Sequence, residues 1–187
     1  MNKLIFITLI ALTFSQQYLS IYEEGYVSLN DKSSELESDH CNLKNIIPED
    51  YFQAAVNEEF FSESKKCGIC YEISGDKGKA NVQITDVFMN KMPNNKVNQI
   101  HFKIPDEAIS KVCEETKSCN VLVRMKSCEY KRGAIVEVVK ESDETGFYFR
   151  NLIVGIKSVI LLTKENEFPL ERNENNKWLI KTPSTSF

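Results

Sequence analysis

Apolar and polar residues alternate with a period of two along much of this chain, the pattern of half-buried strands. It is cleanest at Val121–Lys126, where Val121, Val123 and Met125 oppose Leu122, Arg124 and Lys126. Tyr71 and Ile73, then Val82 and Ile84, repeat it on either side of Gly75-Asp76-Lys77-Gly78. Glycine and aspartate between two such runs predict a hairpin, with its second strand ending on Asp86. Further strands are expected within Ile21–Leu29, Ile100–Ile104, Ala134–Val139, Phe147–Val154, Val159–Leu162 and Trp178–Ile180. Two short stretches read as helices instead. Pro48–Val56 begins with proline and acids and groups Phe52, Ala55 and Val56, while Pro105–Val112 puts Ala108, Ile109 and Val112 on one face. Asp31–Asp39 and Val87–Gln99, the latter interrupted by Pro93, read as loops. The expected class is all-β with two short helices.

The first residues have a different character. Lys3 precedes an apolar run, Leu4–Phe14, that is too short to span a bilayer and has the layout of a secretory leader. Small residues near Ser15 set the expected cut after residue 15, with Ser20 as the second choice. The expected product is secreted and extracellular. No later stretch is apolar enough for a membrane helix, so no membrane partner is expected. Removing a leader that holds Lys3 and no acid takes the formal charge from −4 to −5. That acidity argues against a nucleic-acid partner. A monomer is expected.

An oxidising destination changes how six cysteines read. An even count there suggests three disulfides. Cys67-x-x-Cys70 has zinc-ligand spacing, but no second close pair accompanies it, and His40 and His101 are the chain's two histidines. A redox Cys-x-x-Cys should open a helix, whereas Cys67 runs into a strand. Neither metal nor cofactor is expected. No cysteine follows Cys128, and a boundary near Lys131-Arg132-Gly133 separates a cysteine-rich unit (21–130) from a second β unit (133–187).

Taken in order, these pieces resemble the expansin and expansin-like family, related to barwin proteins and to the glycoside hydrolases of family 45. The residues that carry the resemblance are Glu24-Gly25-Tyr26, Ala54-Ala55-Val56-Asn57, Phe60-Phe61 and Cys67–Ile73, followed by Gly75–Gly78, Val82–Asp86, His101-Phe102 and Met125–Cys128. Pro169–Asn173 followed by Trp178 resembles a stretch of the family's second domain. The resemblance implies a six-stranded double-psi β-barrel and then an immunoglobulin-like β-sandwich, here shortened, that binds carbohydrate. It also implies Cys41–Cys67 and Cys70–Cys128 disulfides, which leave Cys113 and Cys119 to each other.

By the same resemblance Asp86 is the acid of a polysaccharide groove. Inverting hydrolysis needs a second carboxylate. The matching position follows His101-Phe102 and holds Lys103. A lysine facing Asp86 would favour the carboxylate, whereas a general acid must keep its proton. Two-acid hydrolysis is therefore not expected, and Asp106 reads as a helix-start acid. Ser28 keeps a hydroxyl where the family has threonine, and Phe88 replaces a tyrosine of bacterial members. His101 reads as a half-buried structural histidine. In the second unit, alternation makes Phe147 and Phe149 core and turns Tyr148 and Arg150 outward. Tyr148 and Trp178 are the candidate sugar-stacking rings, although packing explains them equally well. The leading expectation is non-hydrolytic loosening of, or binding to, a cellulose-, chitin- or peptidoglycan-like polysaccharide. The alternatives are a glycan-cleaving enzyme with Asp86 as its sole acid, and a barwin-like structural or defence protein.

Overall fold

The computed structural model describes residues 6–8, 21–30, 40–43, 46–89, 99–114, 117–141, 144–164 and 166–180. The expected loop at Asp31–Asp39, most of the expected loop at Val87–Gln99 and most of the expected leader lie outside the described residues. Six strands close into a barrel: β2 (Glu23–Leu29), β3 (Tyr51–Asn57), β4 (Cys70–Ser74), β5 (Lys79–Phe88), β6 (Ile100–Ile104) and β7 (Ser118–Lys126). Their order around the barrel is β2-β6-β3-β5-β4-β7. The β2–β6 and β3–β5 contacts are parallel and the rest antiparallel. Inward positions alternate as the pleat requires, so Val27, Val56, Ile84, Phe102 and Val123 fill the interior. Helix α2 (Asp106–Val112) covers one side with Ala108, Ile109 and Val112.

The first expected helix is not formed. Tyr51–Asn57 is a barrel strand, paired with β5 on one side and β6 on the other. Helix α1 (Glu58–Phe61) is a single turn that begins where the strand ends. Proline and acids imitated a helix start. The run Ala54-Ala55-Val56-Asn57 is buried throughout, as a central strand demands. The predicted hairpin does form, but its second strand continues past Asp86 to Phe88. Its turn requires Gly75, because a Cβ there would stand 2.4 Å from the backbone oxygen of Val112.

The remaining strands form a six-stranded antiparallel sheet. They are β1 (Phe6–Thr8), β8 (Ile135–Glu141), β9 (Glu144–Arg150), β10 (Val159–Leu162), β11 (Glu167–Arg172) and β12 (Trp178–Ile180), in the order β1-β10-β11-β12-β9-β8. Its core comprises Phe147, Phe149, Val159, Leu161, Leu170 and Trp178. The sequence reading missed β11, because Pro169 sits inside it opposite Ile160, and proline lacks the ladder donor. The two units are joined by more than chain continuity. Arg150 Nε donates to Asn42 O (2.9 Å), Asn176 Nδ2 to Cys41 O (2.8 Å) and Cys128 N to Ile153 O (2.9 Å). Three disulfides staple the barrel: Cys41–Cys67, Cys70–Cys128 and Cys113–Cys119.

On the outer face of β4, Glu72 collects Tyr22 Oη (2.9 Å), Lys79 Nζ (3.0 Å) and an Arg124 guanidinium nitrogen (3.2 Å). Burial pushes its pKa up, but the hydrogen bonds from Lys79, Tyr22 and Arg124 outweigh that and hold it at about 2. The folded value lies below the unfolded one. The associated stability is therefore present above the unfolded pKa, near 4.3, and is lost as pH falls through 2. In thermal melts between pH 5 and pH 2, the Glu72→Gln variant should lose roughly 2–4 °C less than the unsubstituted protein, the contribution being reduced by solvent screening. Parallel melting curves would show that the cluster does not stabilise the barrel.

Candidate groove on the barrel

The register of four adjacent strands gathers the expected groove residues. Ser28 of β2 lies opposite Lys103 of β6, Lys103 opposite Ala55 of β3, and Ala55 opposite Asp86 of β5. Paired residues share a face of a sheet, so Ser28, Lys103, Ala55 and Asp86 form one row across the outside of the barrel. The next row is Tyr26, His101, Asn57 and Phe88 on the same face, two residues along each strand. The β3–β5 register shifts between Ala54 and Ala55, passing over Thr85 of β5, and this aligns Ala55 with Asp86.

The two rows interlock. Ser28 Oγ and His101 Nε2 are 2.8 Å apart. The His101 backbone N–H donates to Asn57 Oδ1 at 3.1 Å. The His101 ring meets Tyr26 and Phe88 edge-on, with centroids 5.0 and 4.9 Å apart. Lys103 Nζ stands 4.7 Å from the centroid of the Phe88 ring. The expectation that Lys103 faces Asp86 needs refining. The two share a row, but Ala55 lies between them, roughly 10 Å apart by strand spacing, and the ammonium turns toward Phe88.

Asp86 itself is 4% exposed. Its Oδ1 accepts the Val87 N–H at 2.8 Å and lies 3.5 Å from His40 Nδ1. His40 was not among the expected site residues. Its side chain is 40% exposed, and its ring meets Phe61 edge-on. Periodicity gives no sign of it, because it lies outside any strand. It reaches Asp86 because the next residue, Cys41, donates its backbone N–H to Thr85 O at 3.1 Å and is bonded to Cys67. A cysteine staple beside a histidine was the one available clue.

The two expected stacking rings lie elsewhere and are buried. Tyr148 is 8% exposed, with the Arg150 guanidinium 5.1 Å over its ring. Arg150 is also buried, between Glu137 and the Asn42 carbonyl of the barrel unit. The outward reading of this pair therefore needs correction: Arg150 is held against the barrel unit and lies over the Tyr148 ring, covering what alternation alone leaves exposed. Trp178 is 4% exposed, edge-on to Phe149, with Arg172 4.5 Å over its ring. Neither ring offers a free face for sugar stacking. Among the described residues no group of three His, Cys, Asp or Glu could hold a metal ion, and no helix is long and apolar enough to cross a membrane.

A closed six-stranded barrel with a second β-sheet unit is also the architecture of the expansin from Clavibacter michiganensis. A point mutant of that protein, solved in complex with cellohexaose, superposes with a TM-score of 0.70 at 17% identity, over 89% of this chain and 82% of its own. The apo form gives 0.69 at the same identity and coverage. The fold is that of an expansin. Sequence likeness points the same way. Expansin-A26 of Oryza sativa subsp. japonica is 25% identical over 153 residues, which is 79% of this chain and 52% of the rice protein. Expansin-like protein 7 of Dictyostelium discoideum is 31% identical over 124 residues, covering 63% of this chain and 22% of that protein. The chain thus spans about half of one curated relative and about a fifth of the other. No protein-family model matches it.

Proposed function

We propose that the protein is a secreted, expansin-like protein that binds extracellular polysaccharide in the barrel groove and loosens it without hydrolysis. The observation that carries this reading is the row Ser28–Lys103–Ala55–Asp86, which ends in a buried carboxylate beside His40. A carboxylate accepts charge-assisted hydrogen bonds, about twice as strong as neutral ones. In the groove it can draw hydroxyl donors from a sugar chain that would otherwise bond to a neighbouring chain. Half-buried Phe88, Lys103 and Ser28 supply an apolar surface, a cation and a hydroxyl along the same face. A lysine where hydrolases of this architecture carry an acid leaves no second carboxylate to complete two-acid cleavage. The cellohexaose bound by the bacterial expansin makes a β-linked glucan the first ligand to try. The apolar leader and the three disulfides support an extracellular destination.

The test is co-sedimentation of the protein with insoluble cellulose, chitin and peptidoglycan, with released sugar assayed in parallel. The protein should sediment with at least one polymer and release no sugar. Phe88→Ala should weaken binding by roughly 3- to 10-fold, the loss of one aromatic contact. Sugar release that disappears in the Asp86→Asn variant would replace this reading with single-acid cleavage. Failure to sediment with all three polymers would leave a barwin-like structural role.

A further inference from the structure

A concavity lies on the far side of the barrel from the Ser28–Lys103–Ala55–Asp86 row. The closed order puts β4 and β7 opposite β6 and β3. There a cleft of about 770 Å³ opens between the barrel and the second unit, within the usual range of small-ligand sites. Ile69, Met125, Ile156 and Leu170 make its wall apolar. Ser158 is the one neutral side chain in the lining that carries a hydroxyl. A carbohydrate site needs exposed ring faces and several hydrogen-bonding groups, and Trp178, which also borders the cleft, is 4% exposed beneath Arg172. The lining therefore does not suit a sugar.

Its charge is as distinctive as its apolarity. Lys65, Lys126, Lys157 and Arg172 border the cleft, against the single acid Glu171, in a chain whose formal charge is −4. Lys126 is taken up by Glu129 at 3.1 Å. Arg172 has no carboxylate partner among the described residues. Its guanidinium donates to Ser64 O of the barrel unit (2.8 Å) and to Ile156 O of the second unit. Those two bonds use two of the five N–H groups. Burial lowers its pKa to about 10, which reflects a cation stripped of water without a counter-anion. It stays charged at neutral pH and lines the cleft with donors to spare.

We propose that this cleft binds a small amphipathic carboxylate, its head on Arg172 and Lys157 and its apolar body against Ile69, Met125 and Leu170. An aliphatic and an aromatic acid share that chemistry. A ligand held on Arg172 touches the residue that hydrogen-bonds both units, so occupancy also braces the joint between them.

Trp178 is the chain's one tryptophan, and it reports on the cleft directly. The full chain is titrated with decanoate and with 3-phenylpropanoate below their aggregation concentrations, and with decanol and glucuronate as comparisons, while tryptophan emission is followed. One of the two acids should give a saturable change, at least tenfold tighter than decanol and glucuronate, and the tighter acid identifies the source class. Lys157→Glu, at an exposed position, should weaken that acid at least tenfold with an unchanged far-UV circular dichroism spectrum. Arg172→Met should abolish binding if it folds, and Lys157→Glu stands alone if it does not. Equal affinity for decanol and decanoate, preference for glucuronate, or no saturable change with either acid would overturn the proposal. The groove takes no part in these readings, so their outcome is independent of polysaccharide binding.

Discussion

Asp86→Asn is expected to leave the protein folded and able to sediment with polysaccharide, while its loosening of a hydrated polymer network falls to about a tenth or less. Asparagine has the shape of aspartate and keeps an oxygen for the Val87 N–H and the His40 side. What it loses is the charge. A hydrogen bond to a charged group contributes about 1.5–3 kcal/mol against roughly 1 for a neutral one. Two sugar hydroxyls held by the carboxylate therefore account for a factor of about ten or more. Ser28, Lys103 and Phe88 are the other proposed contacts of the groove, so affinity should change by no more than about threefold while loosening collapses. The measurement is mechanical: extension under constant load of a heat-inactivated wall or cellulose composite, with bound protein quantified in the same sample. Full loosening by the Asn variant would show that the carboxylate charge is not used.

The largest stability effect should come from removing the Cys70–Cys128 disulfide as a Cys70→Ala/Cys128→Ala pair. The bridge closes a loop of 58 residues, against 26 for Cys41–Cys67 and 6 for Cys113–Cys119. Loop-closure entropy makes the three contributions about 4, 3.5 and 2 kcal/mol in that order. For a chain of this size, 4 kcal/mol lowers the melting temperature by roughly 8–16 °C. The Cys128 backbone N–H also donates to Ile153 O of the second unit, so the loss should loosen the joint as well as the barrel. Calorimetry of the three double-alanine variants should rank them in loop order. A Cys70/Cys128 variant that melts within about 3 °C of the unsubstituted protein would place the stabilisation elsewhere.

Much of the barrel was legible because its strands obey a period of two and its turn has turn residues. Tyr71, Ile73, Val82 and Ile84 all face inward or are buried, as alternation requires. The failures share a physical cause: each is settled by strand pairing or packing that local propensity does not report. Tyr51–Asn57 is a strand because β5 and β6 flank it, which outweighs a local proline-and-acid start. Glu167–Arg172 is a strand despite Pro169, because β10 and β12 hold it on both sides. Arg150 is buried against the Asn42 carbonyl of the barrel unit and covers the Tyr148 ring, which local periodicity cannot report. The groove was legible in part. Asp86, Lys103 and Ser28 were read from resemblance, and strand register brings them into one row. His40 was not, since a backbone bond from Cys41 to Thr85 brings it there.

The order of strands around the barrel also constrains how the chain can fold. Strand β2, the first of the barrel strands to emerge, has just two neighbours, β6 and β7, which come about 75 and 95 residues later. Of the barrel contacts, the β4–β5 hairpin alone joins strands consecutive in sequence. During synthesis β2 therefore waits, edges unpaired, until residue 126 has been made, and in refolding the long loops must close before their contacts form. Such a topology folds in milliseconds to seconds rather than microseconds. The β4–β5 hairpin is its natural starting point, and closure of β2 between β6 and β7 its last and slowest step.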